Sequence, residues 1–96
     1  MMKKSYVYIL SNKNRTVLYI GVTSNLLERV TNHKNYRGSV FTKKYNVTDL
    51  LFFEVFTTID DAIKREKQLK TWHKNWKWDL IKEQNNDLRD LYQNLI

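Results

Sequence analysis

The chain has 96 residues, about one small domain. With 42% apolar and 28% charged residues it falls outside the disordered class, and no apolar run nears the roughly 18 residues that a membrane-spanning helix needs. Lys and Arg number 17 against 10 Asp and Glu, a net charge of +7, and the surplus lies in residues 1–48, where nine basic side chains meet one acid, Glu28. Such a balance attracts polyanions, nucleic acid first and acidic membrane second, although a solubilising surface would give the same number. The absence of cysteine excludes a disulfide, a thiolate zinc site and a thiol nucleophile. Tyr6 to Leu10, after the N-terminal lysines, is too short for a signal-peptide core, so the expectation is a cytoplasmic protein without a membrane partner.

Residues 5–11 and 17–22 are rich in Tyr, Val and Ile and read as two strands of a hairpin. If Ser11 pairs with Thr16, the loop is Asn12 to Arg15, and Tyr8 lies directly opposite Tyr19 on one face. Asn25, with Glu28 three positions later, is a capping-box variant that starts a helix running to about Lys34. Residues 35–48 are polar and basic with Gly38 as a breaker, and are expected to form a long loop. Leu50 to Phe56 is apolar on both faces except at Glu54, which predicts a strand internal to the sheet. Thr58 and Asp61 cap a helix from Ile59 to about Trp72, and Lys74 to Lys82 and Asp87 to Leu95 read as shorter helices. With no proline, repeat or linker, residues 1–96 are expected to form one α/β domain, a small antiparallel sheet flanked by helices.

Glu66 interrupts an apolar stripe of Ile59, Ala62, Ile63, Leu69 and Trp72, in a slot where the three-four spacing asks for leucine. A half-buried carboxylate needs a compensating cation. That cation is either a divalent metal or a basic side chain such as Arg29 or Lys67, unless the stripe turns and Glu66 merely grazes solvent. Tyr8 and Tyr19 are either core packing or hydroxyls aimed at a polar cleft. Arg29 and His33, at i and i+4, share a helix face that is either a solvated surface or a phosphate-binding and proton-transferring pair. His73 has no ligand cluster around it, so no zinc site is read. Bases and indoles alternate through Lys70, Trp72, Lys74, Trp76, Lys77 and Trp78. Trp72 continues the core stripe, and the other two indoles are open to a stacking role.

In this order the motifs resemble the GIY-YIG nuclease family, specifically its small single-domain bacterial members. Tyr6-Val7-Tyr8 and Tyr19-Ile20-Gly21 stand as its two name-giving motifs, with Tyr6 in the place of glycine. Gly21 to Leu26 leads into Glu28-Arg29 and His33, and Phe41 to Tyr45 and Ala62 to Lys70 look like later blocks. The resemblance implies metal-dependent hydrolysis of a nucleic-acid phosphodiester on a three-stranded antiparallel sheet with helices around it. It implies that Glu66 holds one divalent cation, Mg²⁺ or Mn²⁺. It further implies that Tyr8 acts on the attacking water with Tyr19 assisting, that Arg29 and His33 act on the phosphate, and that Asn85 supports the site. The expected nucleic-acid contacts are Arg37, Lys43, Lys44 and Lys70, with DNA ahead of RNA as substrate and with a protein partner as one possible source of specificity. The alternatives are a nucleic-acid-binding module of weak or absent activity on the same fold, and a domain whose basic half docks an acidic protein.

Overall fold

Asn12 organises the first turn of the computed structural model, which describes residues 3–96. Its Oδ1 accepts hydrogen bonds from the amides of Thr16 (2.9 Å) and Val17 (3.0 Å), while Nδ2 donates to Thr16 Oγ1 at 2.8 Å. This closes a loop between strand β1 (Ser5–Ser11) and strand β2 (Leu18–Thr23), with Ser11 paired to Leu18. The expected pairing of Ser11 with Thr16 is therefore corrected by two residues. Tyr8 faces Gly21, and Tyr19 faces Leu10. Because side chains alternate with a period of two, the shift keeps both tyrosines on one face, now as diagonal neighbours.

Helix α1 (Leu26–Lys34) starts at Asn25, whose Oδ1 accepts from Glu28 N and whose Nδ2 donates to Glu28 Oε2. The segment expected to be a loop contains helix α2 (Val40–Lys44), capped by Ser39, whose Oγ accepts from Thr42 N. It has five residues, too few to display an apolar period. Strand β3 (Asp49–Phe56) and helix α3 (Ile59–Thr71) follow, the helix capped by Thr58, and then helix α4 (Lys74–Gln84).

The sheet order is β2-β1-β3, all antiparallel. β1 is therefore the central strand and β3 an edge, contrary to expectation. β3 is apolar on both faces because the sheet is covered on both. Val7, Ile9, Ile20, Leu51 and Phe52 pack with Ala62, Leu69 and Ile81 of α3 and α4. Tyr8, Leu10 and Leu50 pack with Leu26 and Val30 of α1, and with Val47 and Leu91. Each fully buried side chain of this size contributes roughly 1.5–3 kcal/mol.

The open edge of β3 is filled by side chains. Gln84 accepts from Phe53 N (3.1 Å) and donates to Phe53 O (2.8 Å), and Asp90 Oδ1 accepts from Leu50 N at 3.0 Å. These contacts occupy backbone groups that would otherwise invite another strand. The helix expected over Asp87–Leu95 is only a 3-10 turn at Leu91–Asn94. Leu88 has φ 53°, its carbonyl accepts from the Arg15 guanidinium, and Asn85 bonds both backbone groups of Arg89. Together these hold the chain in a non-helical bend.

Candidate active site

Tyr8 is completely buried, yet its ring reaches toward the β2 edge of the sheet. It can do so because its cross-strand partner is Gly21, where a Cβ would overlap the Tyr8 hydroxyl. What is required there is space, not an unusual backbone, since Gly21 has no positive φ. Tyr19 stands diagonally beside it, ring centroids 6.3 Å apart.

His33 closes the cluster from α1. Its Nε2 lies 3.3 Å from Tyr8 Oη, and its Nδ1 lies 3.1 Å from Thr42 Oγ1 on α2. Thr42 Oγ1 donates to the Ser39 carbonyl at 3.1 Å and accepts from Ser39 Oγ at 3.2 Å. With that proton on the Ser39 carbonyl, the remaining lone pair is placed to accept from His33 Nδ1–H. In the tautomer this arrangement favours, neutral His33 carries its proton on Nδ1 and offers the Nε2 lone pair to the Tyr8 hydroxyl. Gly38 leaves room for this, since a Cβ there would overlap the His33 ring.

Arg29, one turn earlier on α1, is exposed, and its charge is felt by both Tyr8 and His33. Burial pushes the Tyr8 phenol up to about 12, with Tyr19 and the Glu66 carboxylate adding to the rise and Arg29 opposing it. Burial also lowers the His33 pKa, and Arg29 lowers it further. At neutral pH the pair is thus a neutral phenol donating to a neutral imidazole.

Glu66 lies on α3 at the margin of the apolar stripe, 19% exposed, with Oε2 3.5 Å from Lys70 Nζ. Ala62 and Leu69 are buried, while Ile59 and Ile63 are exposed, so the stripe is narrower than its pattern suggested. Lys70 is 54% exposed and sits at i+4 on the same helix. Such a pair is worth only about 0.3–0.5 kcal/mol, so Lys70 is a displaceable partner. A hollow of about 260 Å³ lined by Leu18, Tyr19, Ile20, Phe41, Lys70 and Lys77 opens beside it.

The fold thus gathers Tyr8, Tyr19, His33 and Arg29, with Glu66 close enough for its charge to reach Tyr8. Lys70 lies at the rim, and Arg37, Lys43 and Lys44 are exposed on or just before α2. Asn85 is elsewhere. It is buried on the β3 side, opposite β2, where Nδ2 donates to Leu51 O (3.0 Å) and Arg89 O (2.7 Å) and Oδ1 accepts from Arg89 N. Its amide is fully engaged in holding the C-terminal bend. Sequence reasoning missed Thr42, whose only signal is the Ser39 cap that turns it inward, and read Gly38 merely as a breaker.

Among the described residues, no group of three or more His, Asp or Glu side chains could cage a metal ion. A single carboxylate whose charge reaches Tyr8 fits a hard cation that keeps its waters and takes its remaining ligands from substrate phosphate.

The hairpin's second strand gives up a side chain to the first strand's tyrosine, the helix bearing Arg29 and His33 covers that tyrosine's face, and the Glu66 helix covers the other. The chain belongs to the GIY-YIG family: the model of the GIY-YIG catalytic domain matches residues 4–79. The chain is 35% identical over 82 residues to UPF0213 protein SSP2268 of Staphylococcus saprophyticus, covering 85% of this chain and 99% of that one. It is 38% identical over 77 residues to UPF0213 protein CPE1444 of Clostridium perfringens, covering 80% and 82%. The solution structure of UPF0213 protein BH0048 from Bacillus halodurans shares the fold, with a TM-score of 0.57 at 24% identity over 88% of each chain. No helix among the described residues is long and apolar enough to cross a membrane.

Proposed function

We propose that this chain is a single-domain, divalent-metal-dependent endonuclease that hydrolyses nucleic-acid phosphodiesters, DNA ahead of RNA, in the cytoplasm. The observation that carries this reading is the Tyr8–His33 contact, 3.3 Å between Oη and Nε2, at a site where Arg29 and Glu66 supply opposite charges. Once bound substrate admits water to the buried hydroxyl, Tyr8 is suited to take a proton from the attacking water while its own proton passes to His33 Nε2. Thr42 fixes the tautomer that leaves Nε2 free to receive it. Arg29 is suited to bind the phosphate oxygens as charge builds on them. Glu66 would hold the metal, which when bound supplies positive charge against the phosphate. Arg37, Lys43, Lys44 and Lys70 would follow the nucleic-acid backbone, and a protein partner could add the specificity that so small a domain lacks.

One observation favours a second reading, a binding module without efficient cleavage: a phenol whose pKa is about 12 is a poor base at neutral pH. The two readings part on metal-dependent cleavage, since burial is the main cause of the raised phenol and the Glu66 charge the least of them. The test is nicking of supercoiled plasmid with Mg²⁺, with Mn²⁺ and with chelator, by wild type and Glu66→Ala. Metal-dependent nicking abolished in Glu66→Ala supports the nuclease. Binding without nicking in either protein supports the module.

A further inference from the structure

We propose that Phe41 and Tyr45 form a stacking platform for an unpaired nucleobase, so that single-stranded DNA is the form this protein holds. What the platform presents the strand to rests on the nuclease reading above. The two rings lie at i and i+4 on α2 and its C-cap, centroids 4.9 Å apart, and each is 42% exposed. Phe41 in turn stacks on Tyr19, centroids 6.1 Å apart at 28°. The exposed aromatic surface is therefore continuous with the catalytic cluster, and Phe41 and Tyr19 share the hollow rimmed by Lys70 and Lys77.

The charges around these two adjacent exposed rings say what covers them. Lys43 and Lys44 lie on the same short helix, Lys44 Nζ sits 5.4 Å from the Tyr45 ring centre, and residues 29–48 contain no acid. Aromatic faces set among lysines suit a base flanked by phosphates. Both faces of a base inside a duplex are already covered by its neighbours, so this surface selects a base that is not stacked in a helix.

The test uses the whole protein in chelator, so that nothing is cut. The probes are a single-stranded deoxyoligonucleotide carrying 2-aminopurine, its RNA counterpart, and a hairpin duplex of the same composition. Wild type should quench 2-aminopurine and bind the single strand more tightly than the duplex. Phe41→Leu with Tyr45→Leu keeps the apolar volume but removes the rings. It should weaken single-strand binding roughly 5- to 150-fold, the range for losing stacking on one base, abolish the quenching and leave duplex binding unchanged. Phe41→Trp should restore most of the affinity, which separates stacking from damage to the fold. Unchanged single-strand affinity in the double variant, or an equal loss on duplex, overturns the platform. A loss seen only with RNA overturns its assignment to DNA. Failure of wild type to cut with Mg²⁺ or Mn²⁺ while the selective binding persists would remove the nuclease reading and leave the platform standing.

Discussion

The hydroxyl of Tyr8 and the imidazole of His33 meet inside the fold, Oη 3.3 Å from Nε2, although 25 residues separate them in the chain. The far side of the imidazole is tied to Thr42, which makes a threonine on a five-residue helix the element that sets the histidine's tautomer. Thr42→Val should keep the shape but leave His33 Nδ1–H without its partner. The expected cost is about 1–3 kcal/mol of stability, measurable by urea unfolding. Cleavage should also fall with an altered pH profile, whereas Thr42→Ser should restore both.

Gly21→Ala places a methyl group where the Tyr8 hydroxyl now lies. Tyr8 is fully buried and cannot swing into solvent without giving up its packing. The expected loss is about 1–3 kcal/mol together with a fall in cleavage, since the displaced hydroxyl also leaves His33. A thermal melt and a cleavage assay on the same preparation check both.

Protonation of His33 is opposed by burial and by Arg29, so its pKa in the folded chain lies below its unfolded value. Between those two values the unfolded chain binds more protons. Stability from this group is therefore complete above about pH 6.5 and declines as pH falls below it. Asp49 behaves likewise at lower pH. Burial alone would raise its pKa, but hydrogen bonds and charge from Lys13 and Arg15 outweigh that and hold it down. Its contribution is present above about pH 4 and is lost as pH falls through the depressed value. Urea unfolding should show a first loss below about pH 6.5 that is absent in His33→Gln. A second loss, below about pH 4, should be absent in Asp49→Asn.

Gln84→Ala removes both side-chain bonds to Phe53 at the β3 edge. Because this amide is exposed, the expected stability cost is only about 1 kcal/mol. The uncovered edge should, however, show concentration-dependent association in size-exclusion chromatography. Unchanged elution across the concentration range would mean that Asp90 and the C-terminal bend guard the edge without it.

Local signals read well in this chain. Asn25 and Thr58 cap the helices they were expected to cap, because a side chain three residues from its amide partner leaves its mark in sequence. The three strands are where Val, Ile, Tyr and Phe concentrate. What failed depended on long-range pairing. The Asn12 loop set the hairpin register, and cover on both faces made the β3 edge look central. Arg15 and Asn85 stopped a final helix that local pattern allowed. In the candidate site, Tyr8, Tyr19, Arg29, His33 and Glu66 were each legible as residues out of place or in motif order. The Thr42 link was not, since nothing in the sequence spacing announces which hydroxyl faces a histidine across a turn.

The most direct measurement is single-turnover cleavage of an end-labelled oligonucleotide in Mg²⁺ by wild type and Tyr8→Phe, purified identically and matched in binding affinity. If Tyr8 acts on the attacking water through His33, removing one oxygen slows cleavage by about 100-fold or more while affinity stays within twofold. Equal rates for the two proteins would contradict a role for the Tyr8 hydroxyl in the chemistry and place any cleavage at another site.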